Sequence, residues 1–420
     1  MVKRMRRVPL LLTVCAVTVV AQTTVLNHAT VIDGTGAAPM PDAAIVITAG
    51  RIAAIGPASK MKIPSGAQTV DLTGKTIIPG IINAHGHISE DPSVKIRHYA
   101  QYGVTSVIGM GGDGDEQLQI RDDQHHVTAT GRGDIKGARV YTVQHRFEFD
   151  KDAPTPDAGR LGVEQLFKQH ADAVKVVVDN RRNTQPKLRP EITEAIIEQA
   201  HKHHMKAFAH IHDYDDAKLM MEQGIDMLAH QVRDREVDDA FIDMMKAKHV
   251  AITSTLVREL SSYVYADSPP WLNDPFLARF SDPKRIEIAK TQLKDQQSKL
   301  RDLALNRKDF EIATTNFSKM VKAGGVRIGL GTDSGPVPTR FEGYFEHMEM
   351  ELMVKYGMTP MQVIQAFSQT NSEILGIEKD YGTLAKGKMA DLVVLDKNPL
   401  DDILNTRTIN AVYIGGRKFE

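Results

Sequence analysis

Between residues 77 and 376 the chain alternates. Apolar runs of strand length (TIIPGIIN, GVTSVIGM, ARVYTV, AVKVVV, KAFAH, DMLAH, VAITSTL and RIGLGT) are separated by segments with helical periodicity such as PEITEAIIEQAHKHH, DYDDAKLMMEQG and DREVDDAFIDMMKAKH. Few folds accept this pattern. Strands that are apolar on both faces must be covered on both faces, and helices between parallel strands do that. Eight strands alternating with helices over about this length predict a (β/α)8 TIM barrel, an α/β fold.

Both ends of the chain read differently. From residue 24 to about 70, TVLNHATVID, AAIVITAGRIAAIG and AQTVDL are strand-like, with TAGR as a hairpin turn. GTLAKGKMADLVVLDKNPL and INAVYIGGRKFE repeat the style at the other end. The expectation is one small sheet domain closed by both termini, with β parts at 22–79 and 377–420 around a barrel at 80–376. Residues 259–322 are polar, helical and longer than one connection needs, so part of that stretch is expected to be an insertion over the barrel mouth, a lid. It holds the single tryptophan, Trp271.

The opening MVKRMRRVPLLLTVCAVTVVAQ places Lys3, Arg4, Arg6 and Arg7 before an apolar run from Val8 to Ala21. That is the build of a secretory signal peptide over residues 1–21, and the run is short for a membrane span. The expected location is periplasmic or secreted, with no membrane attachment after cleavage. Cys15, the only cysteine, lies inside this segment. The mature chain would then have no disulfide, no thiolate nucleophile and no cysteine metal ligand. A formal net charge of −1 gives no electrostatic case for nucleic acid. Catalysis must draw on His, Asp, Glu, Lys, Ser or a metal.

In a barrel of this type, active groups gather where the strands end. His85 and His87 close the first strand in NAHGH, His210 the fifth, His230 the sixth and Asp333 the eighth, while Lys175 lies within the fourth. Side chains two apart on a strand point the same way, so the HGH pair can converge on one cation. Zn²⁺ accepts imidazole nitrogen and carboxylate oxygen. Any one of these histidines alone would more often be a hydrogen-bonded loop residue, and Lys175 alone could snorkel or pair with Asp179. Together, in this order on one face, they read as a metal site. In KAFAHIHD both His210 and His212 are available as the fifth-strand ligand, and the apolar run favours His210. His145, His212 and Arg233, all near strand ends, are candidate substrate contacts; Arg233 could meet a substrate carboxylate or have a purely structural role.

With these residues in hand, the chain resembles the amidohydrolase superfamily, in the branch of imidazolonepropionase-like and Xaa-Pro dipeptidase-like enzymes. TVIDGTG, RIAAIG, PGIINAHGH, GTDSG and GTLAKGKMADLVVLD carry the resemblance over nearly the whole mature chain. It implies a urease-like β-sandwich built from both termini beside the barrel. It also implies a binuclear centre of two divalent metal ions, zinc by expectation. His85 and His87 match ligands of the more buried metal. Lys175 matches a lysine that CO2 converts to a bridging carbamate. His210 and His230 match ligands of the second metal, and Asp333 matches an aspartate that binds metal and moves protons. AHQVRD replaces the Glu-His-Gly common after the sixth strand, and QHRFE replaces small residues after the third, so dipeptidase specificity does not carry over directly.

The resulting expectation is a metal-dependent amidohydrolase, with dipeptidase- or carboxypeptidase-like action included. It would cleave an amide-type C–N bond in a small molecule or short peptide through a metal-bridging hydroxide, with Asp333 as proton shuttle. A mononuclear deaminase or cyclic amidase is the alternative enzyme. Lys175 argues against it, as does the lack of a glutamate near His210. A catalytically silent binding protein on the same barrel is the alternative outside enzymes.

Overall fold

The computed structural model describes residues 23–130, 135–149, 152–182 and 184–420. The expected signal peptide lies outside the described residues. Among the described residues no helix is long and apolar enough to cross a membrane.

One apolar run serves two sheets. Thr76–Pro79 pairs antiparallel with Leu392–Leu395, whereas Ile81–Gly86 pairs parallel with Val104–Gly109. The chain changes sheet at Gly80, where a Cβ would lie 2.1 Å from Thr105 Oγ1 and 2.8 Å from its Cβ, so a side chain here would collide with Thr105.

On one side of that pivot lies an eight-stranded sheet drawn from both ends of the chain. Its order is Arg417–Lys418, Ile409–Ile414, Leu392–Leu395, Thr76–Pro79, Thr23–Val31, Met40–Thr48 and Arg51–Pro57, with Gln68–Asp71 also pairing Thr23–Val31. The hairpin predicted at TAGR joins Met40–Thr48 to Arg51–Pro57, with Ala49 and Gly50 at positive φ. Leu26, Ile45, Ile77, Leu392, Val394 and Tyr413 pack into one core, so sequence-distant halves bury each other's apolar face.

On the other side are two parallel sheets. Ile81–Gly86, Val104–Gly109 and Arg139–Thr142 form the first; Arg146–Phe147, Ala173–Val178, Lys206–Ile211, Met227–Ala229, Ala251–Thr253 and Arg327–Gly329 form the second. The third apolar run passes from one sheet to the other through Gln144, at φ 56°. At the opposite edges, Ala84 N donates to Leu330 O (3.1 Å), Asp333 N to His85 O (2.7 Å) and His87 N to Ser334 O (2.8 Å). The helices between strands behave as the periodicity requires. Pro190–Lys202 starts with proline in its first turn and buries Ile192, Ile196, Ile197 and Ala200. Each buried isoleucine contributes roughly 1.5–3 kcal/mol.

The polar stretch after the seventh strand has two parts. Its second part is the 21-residue helix Leu303–Ala323, whose Phe310, Ala313, Phe317 and Met320 join the main core. Its first part is a set of short helices. Tyr265, Leu272, Leu277 and Ile286 pack there with Tyr102, Phe341, Tyr344 and Phe345, and Trp271 lies against that cluster.

Candidate metal centre

The carboxylate of Asp333 sits between the two imidazoles of NAHGH. Its Oδ1 is 2.8 Å from His87 Nε2 and 3.5 Å from His85 Nε2. Two local bonds fix this arrangement: Asn83 Oδ1 accepts from His85 N (2.9 Å), and His85 O accepts from Asp333 N. Asp333 and His230 both have left-handed backbone, at φ 53° and 77°. Non-glycine residues held there cost on the order of 1 kcal/mol and gather where geometry serves function.

The His230 ring lies 4.6 Å from that of His85 and 4.5 Å from that of His210, centroid to centroid. One ligand atom from each of His85, His230 and Asp333 falls within 4.8 Å of the others. Lys175 is buried on the strand next to that of His210. Its Cα pairs with that of Phe208, two residues before His210, so Lys175 and His210 face the same side. The Lys175 charge acts on both His85 and His210.

Three of the four rings are held through one nitrogen. His230 Nδ1 meets Thr255 Oγ1 at 3.0 Å, His210 Nε2 meets Asp179 Oδ2 at 3.0 Å, and His87 Nδ1 lies 3.3 Å from Gly111 O. That fixes ring orientation and leaves the opposite nitrogens, His230 Nε2, His210 Nδ1 and His87 Nε2, as the ones a cation could use, the usual role of partners behind metal-binding imidazoles. His85 Nδ1 is buried with no hydrogen-bond partner.

The electrostatics favour cation binding. Burial pushes His85 down to about 3 and His210 to about 4, with His230 also well below its ordinary value, so all three carry free lone pairs at neutral pH. Burial disfavours ionised Asp333, but the Arg340 charge and the hydrogen bonds from His85 and His87 outweigh it and hold the carboxyl well below the usual range. Burial brings Lys175 down to about 7, against the opposing pull of Asp333. Neutral imidazoles, an ionised carboxylate and an orphaned buried nitrogen in one cluster fit divalent cations.

The candidate substrate contacts are distributed differently. His145 is exposed, its ring edge-on to Phe147. His212 is held between Asp213 Oδ1 (2.7 Å) and Asp309 Oδ2 (3.4 Å). Arg233, with only 1 % of its side chain exposed, bonds Glu259 through Nη1 and Ile211 O through Nη2 (2.8 Å).

Sequence reasoning passed over Thr255, Arg258, Glu259 and Arg340, and it considered Asp179 only as a partner for Lys175, whereas Asp179 bonds His210. Asp179 directly follows the fourth strand, Ala173–Val178, and Thr255 lies two residues past the seventh, Ala251–Thr253, so strand-end position was a usable signal for both. Arg340 had none: it reaches Asp333 from seven residues further along a loop.

A model of the amidohydrolase family matches residues 76–418. Ochratoxinase of Aspergillus niger is 25% identical over 272 residues, 62% of this chain and 49% of the relative, so the chain spans about half the length of the curated relatives it matches. Among solved structures, an Xaa-Pro dipeptidase with bound methionine superposes at a TM-score of 0.75 with 19% identity, over 95% of this chain and 100% of that one. A molinate hydrolase superposes at 0.75 with 18% identity over 95% of each chain, and A. niger ochratoxinase at 0.74 with 19% identity over 95% and 96%. At these identities the likeness speaks for the fold.

Proposed function

Because the chain belongs to the amidohydrolase family, we propose that it is a metal-dependent hydrolase of amide-type C–N bonds, acting on dipeptides, N-acyl amino acids or related amides. The observation that carries the reading is the position of Asp333 Oδ1 between His85 and His87, with His230 alongside. The reading includes a (β/α)8 barrel, for which the parallel sheets and the bonds between their edges are the support, and a sandwich domain made by both termini. It also includes export of the chain through its N-terminal signal.

His85, His87, Lys175, His210, His230 and Asp333 are the residues assigned to hold two divalent ions, zinc in the first instance. When bound, such ions acidify water and polarise the scissile carbonyl. A buried lysine beside imidazoles serves this set best as its carbamate, formed with CO2, which replaces a repelling cation by an anion. Asp179 and Thr255 hold the rings of His210 and His230 in register. Asp333 begins ionised, kept so by Arg340, and can accept a proton at Oδ1 and hand it to the departing nitrogen. Hydrolysis then gives a carboxylic acid and an amine.

The direct test is a screen of dipeptides, N-acyl amino acids and lactams with zinc-loaded protein, before and after chelation. The reading requires turnover of at least one class, loss on chelation and recovery on adding metal. Metal-loaded protein inert toward every class would leave the binding-protein alternative. Deamination or lactam opening by protein with one metal equivalent would favour the mononuclear alternative.

A further inference from the structure

Three arginines crowd the Asp333 side of the centre, served by two carboxylates. Glu259 is shared: Oε1 bonds Arg233 Nη1 and Oε2 bonds Arg258 Nη1 (2.7 Å). Asp333 is shared more widely, with its Oδ2 bonded by Arg340 Nη1 and 3.5 Å from Arg258 Nε, while Oδ1 serves His85 and His87. Asp333 therefore cannot neutralise both arginines and also serve as a cation ligand. The three differ in access. Arg233 is sealed, whereas the side chains of Arg258 and Arg340 keep 24 % and 17 % exposure.

The positions of these two guanidinium groups are built in. Arg258 lies in the short helix Leu256–Ser261, whose first amides, Leu256 N (2.8 Å) and Val257 N (2.7 Å), both donate to the buried carboxylate of Glu349. Arg258 Nε is buried without a hydrogen-bond partner. Arg340 ends a loop that the inserted helices prop from outside: Tyr265 Oη donates to Thr339 O, and Arg285 Nε donates to Pro338 O (2.9 Å). Gly335 N donates to Arg340 O (3.0 Å) and closes that loop. Arg340 spends only Nη1 on Asp333, which leaves an edge of its planar fork for a second acceptor.

We propose that Arg258 and Arg340 form an anion-reading subsite that takes the carboxylate of an amino-acid leaving group. This rests on the hydrolase reading and narrows it. Asp333 is the group assigned to protonate the leaving nitrogen, and both arginines touch Asp333. An anion held by them lies on the leaving-group side, about where the α-carboxylate of a released amino acid would be. Bidentate guanidinium–carboxylate recognition is strong and planar, and a site that is net positive before substrate arrives disfavours neutral amides. The substrate class is thus N-acyl amino acids or dipeptides with a free C-terminus. Arg233 holds Glu259 from the other side of its shared carboxylate and so backs Arg258.

The test compares N-acetyl-L-phenylalanine with N-acetylphenethylamine, which lacks only the carboxylate, and extends the comparison to other N-acetyl amino acids with their decarboxylated counterparts. Expected is a kcat/KM at least about 100-fold higher for the acid, from two charge-assisted contacts of roughly tenfold or more each. In Arg340→Gln and Arg258→Gln that ratio falls by about 10- to 100-fold, mainly through KM. Arg340→Lys keeps the charge without the fork and recovers part of the loss. Circular dichroism melting separates these effects from misfolding. Calorimetric binding of both compounds to metal-loaded wild type gives a readout independent of turnover, with the acid expected to bind more tightly. Equal hydrolysis of acid and neutral compound overturns the subsite and leaves the hydrolase reading intact. If neither compound is turned over, binding that favours the acid and weakens in Arg340→Gln supports the subsite, and binding without preference overturns it.

Discussion

His210 Nε2 lies 3.0 Å from Asp179 Oδ2, and that bond decides which face of the imidazole is offered to the centre. Burial opposes charge on Asp179, but the hydrogen bond and charge of His210 hold its carboxyl well below the ordinary range. Removing the partner frees the ring to rotate. Asp179→Ala is expected to weaken one of two bound cations by about 10- to 100-fold, read by competition with a chromophoric chelator. Unchanged affinities would show that Asp179 does not orient a ligand.

Arg233 is a structural prediction as much as a functional one. Its guanidinium is sealed against Glu259 and the Ile211 carbonyl. Arg233→Met leaves the Glu259 carboxylate, fully buried, with Arg258 as its remaining ion-pair partner. Losing one partner of a buried pair costs about 3 kcal/mol or more, measurable by urea unfolding. A variant as stable as wild type would contradict this.

Glu346 gives a pH prediction. Its Oε1 accepts from Asn83 Nδ2 (2.6 Å), Thr332 Oγ1 (2.8 Å) and Ser334 Oγ (2.8 Å), while Oε2 is buried without a partner. Burial outweighs the Ser334 and Thr332 bonds and raises the carboxyl from 4.5 to about 7. The folded state therefore binds the proton more tightly than the unfolded chain does. That contribution to stability is complete below pH 4.5 and is lost as pH rises to about 7. It amounts to roughly 3 kcal/mol. Glu346→Gln keeps the acceptor and removes the titration, so its urea midpoint should change less between pH 5 and 8 than that of wild type. The flattening is partial because neighbouring Glu349 is also raised to about 7. Parallel pH profiles would rule out a protonated Glu346.

Asp333→Asn removes the proton carrier while keeping an oxygen toward His85 and His87. The expected loss in kcat is about 100-fold or more, with much of the metal retained by elemental analysis. Normal turnover in this variant would remove Asp333 from the proposed proton path.

The centre was legible where chemistry is local. NAHGH, His210 of KAFAHIHD, His230 of DMLAHQ and GTDSG each end an apolar run, and period-two alternation is enough to say which side chains share a face. The alternation of strands and helices was legible for the same reason. What escaped are interactions across long sequence distances. The loop that brings Arg340 to Asp333 is held by Tyr265 and Arg285, which bond Thr339 and Pro338 from more than fifty residues earlier, and Glu349 holds a helix start about ninety residues before it. For Arg233 the sequence left a substrate contact and a structural role open, because its partner Glu259 lies 26 residues further along the chain. The change of sheet at Gly80 was hidden inside one continuous apolar run, since apolarity does not record which sheet a strand joins.

The most direct measurement is the metal content of purified protein after incubation with zinc and bicarbonate, by elemental mass spectrometry. Wild type should hold two equivalents, falling to about one in Lys175→Ala and to little in a variant combining His85→Ala with His230→Ala. A well-folded wild type that binds no zinc, manganese, cobalt or iron would contradict the assignment of these six side chains to a metal centre. A Lys175→Ala variant that still holds two equivalents would contradict the bridge.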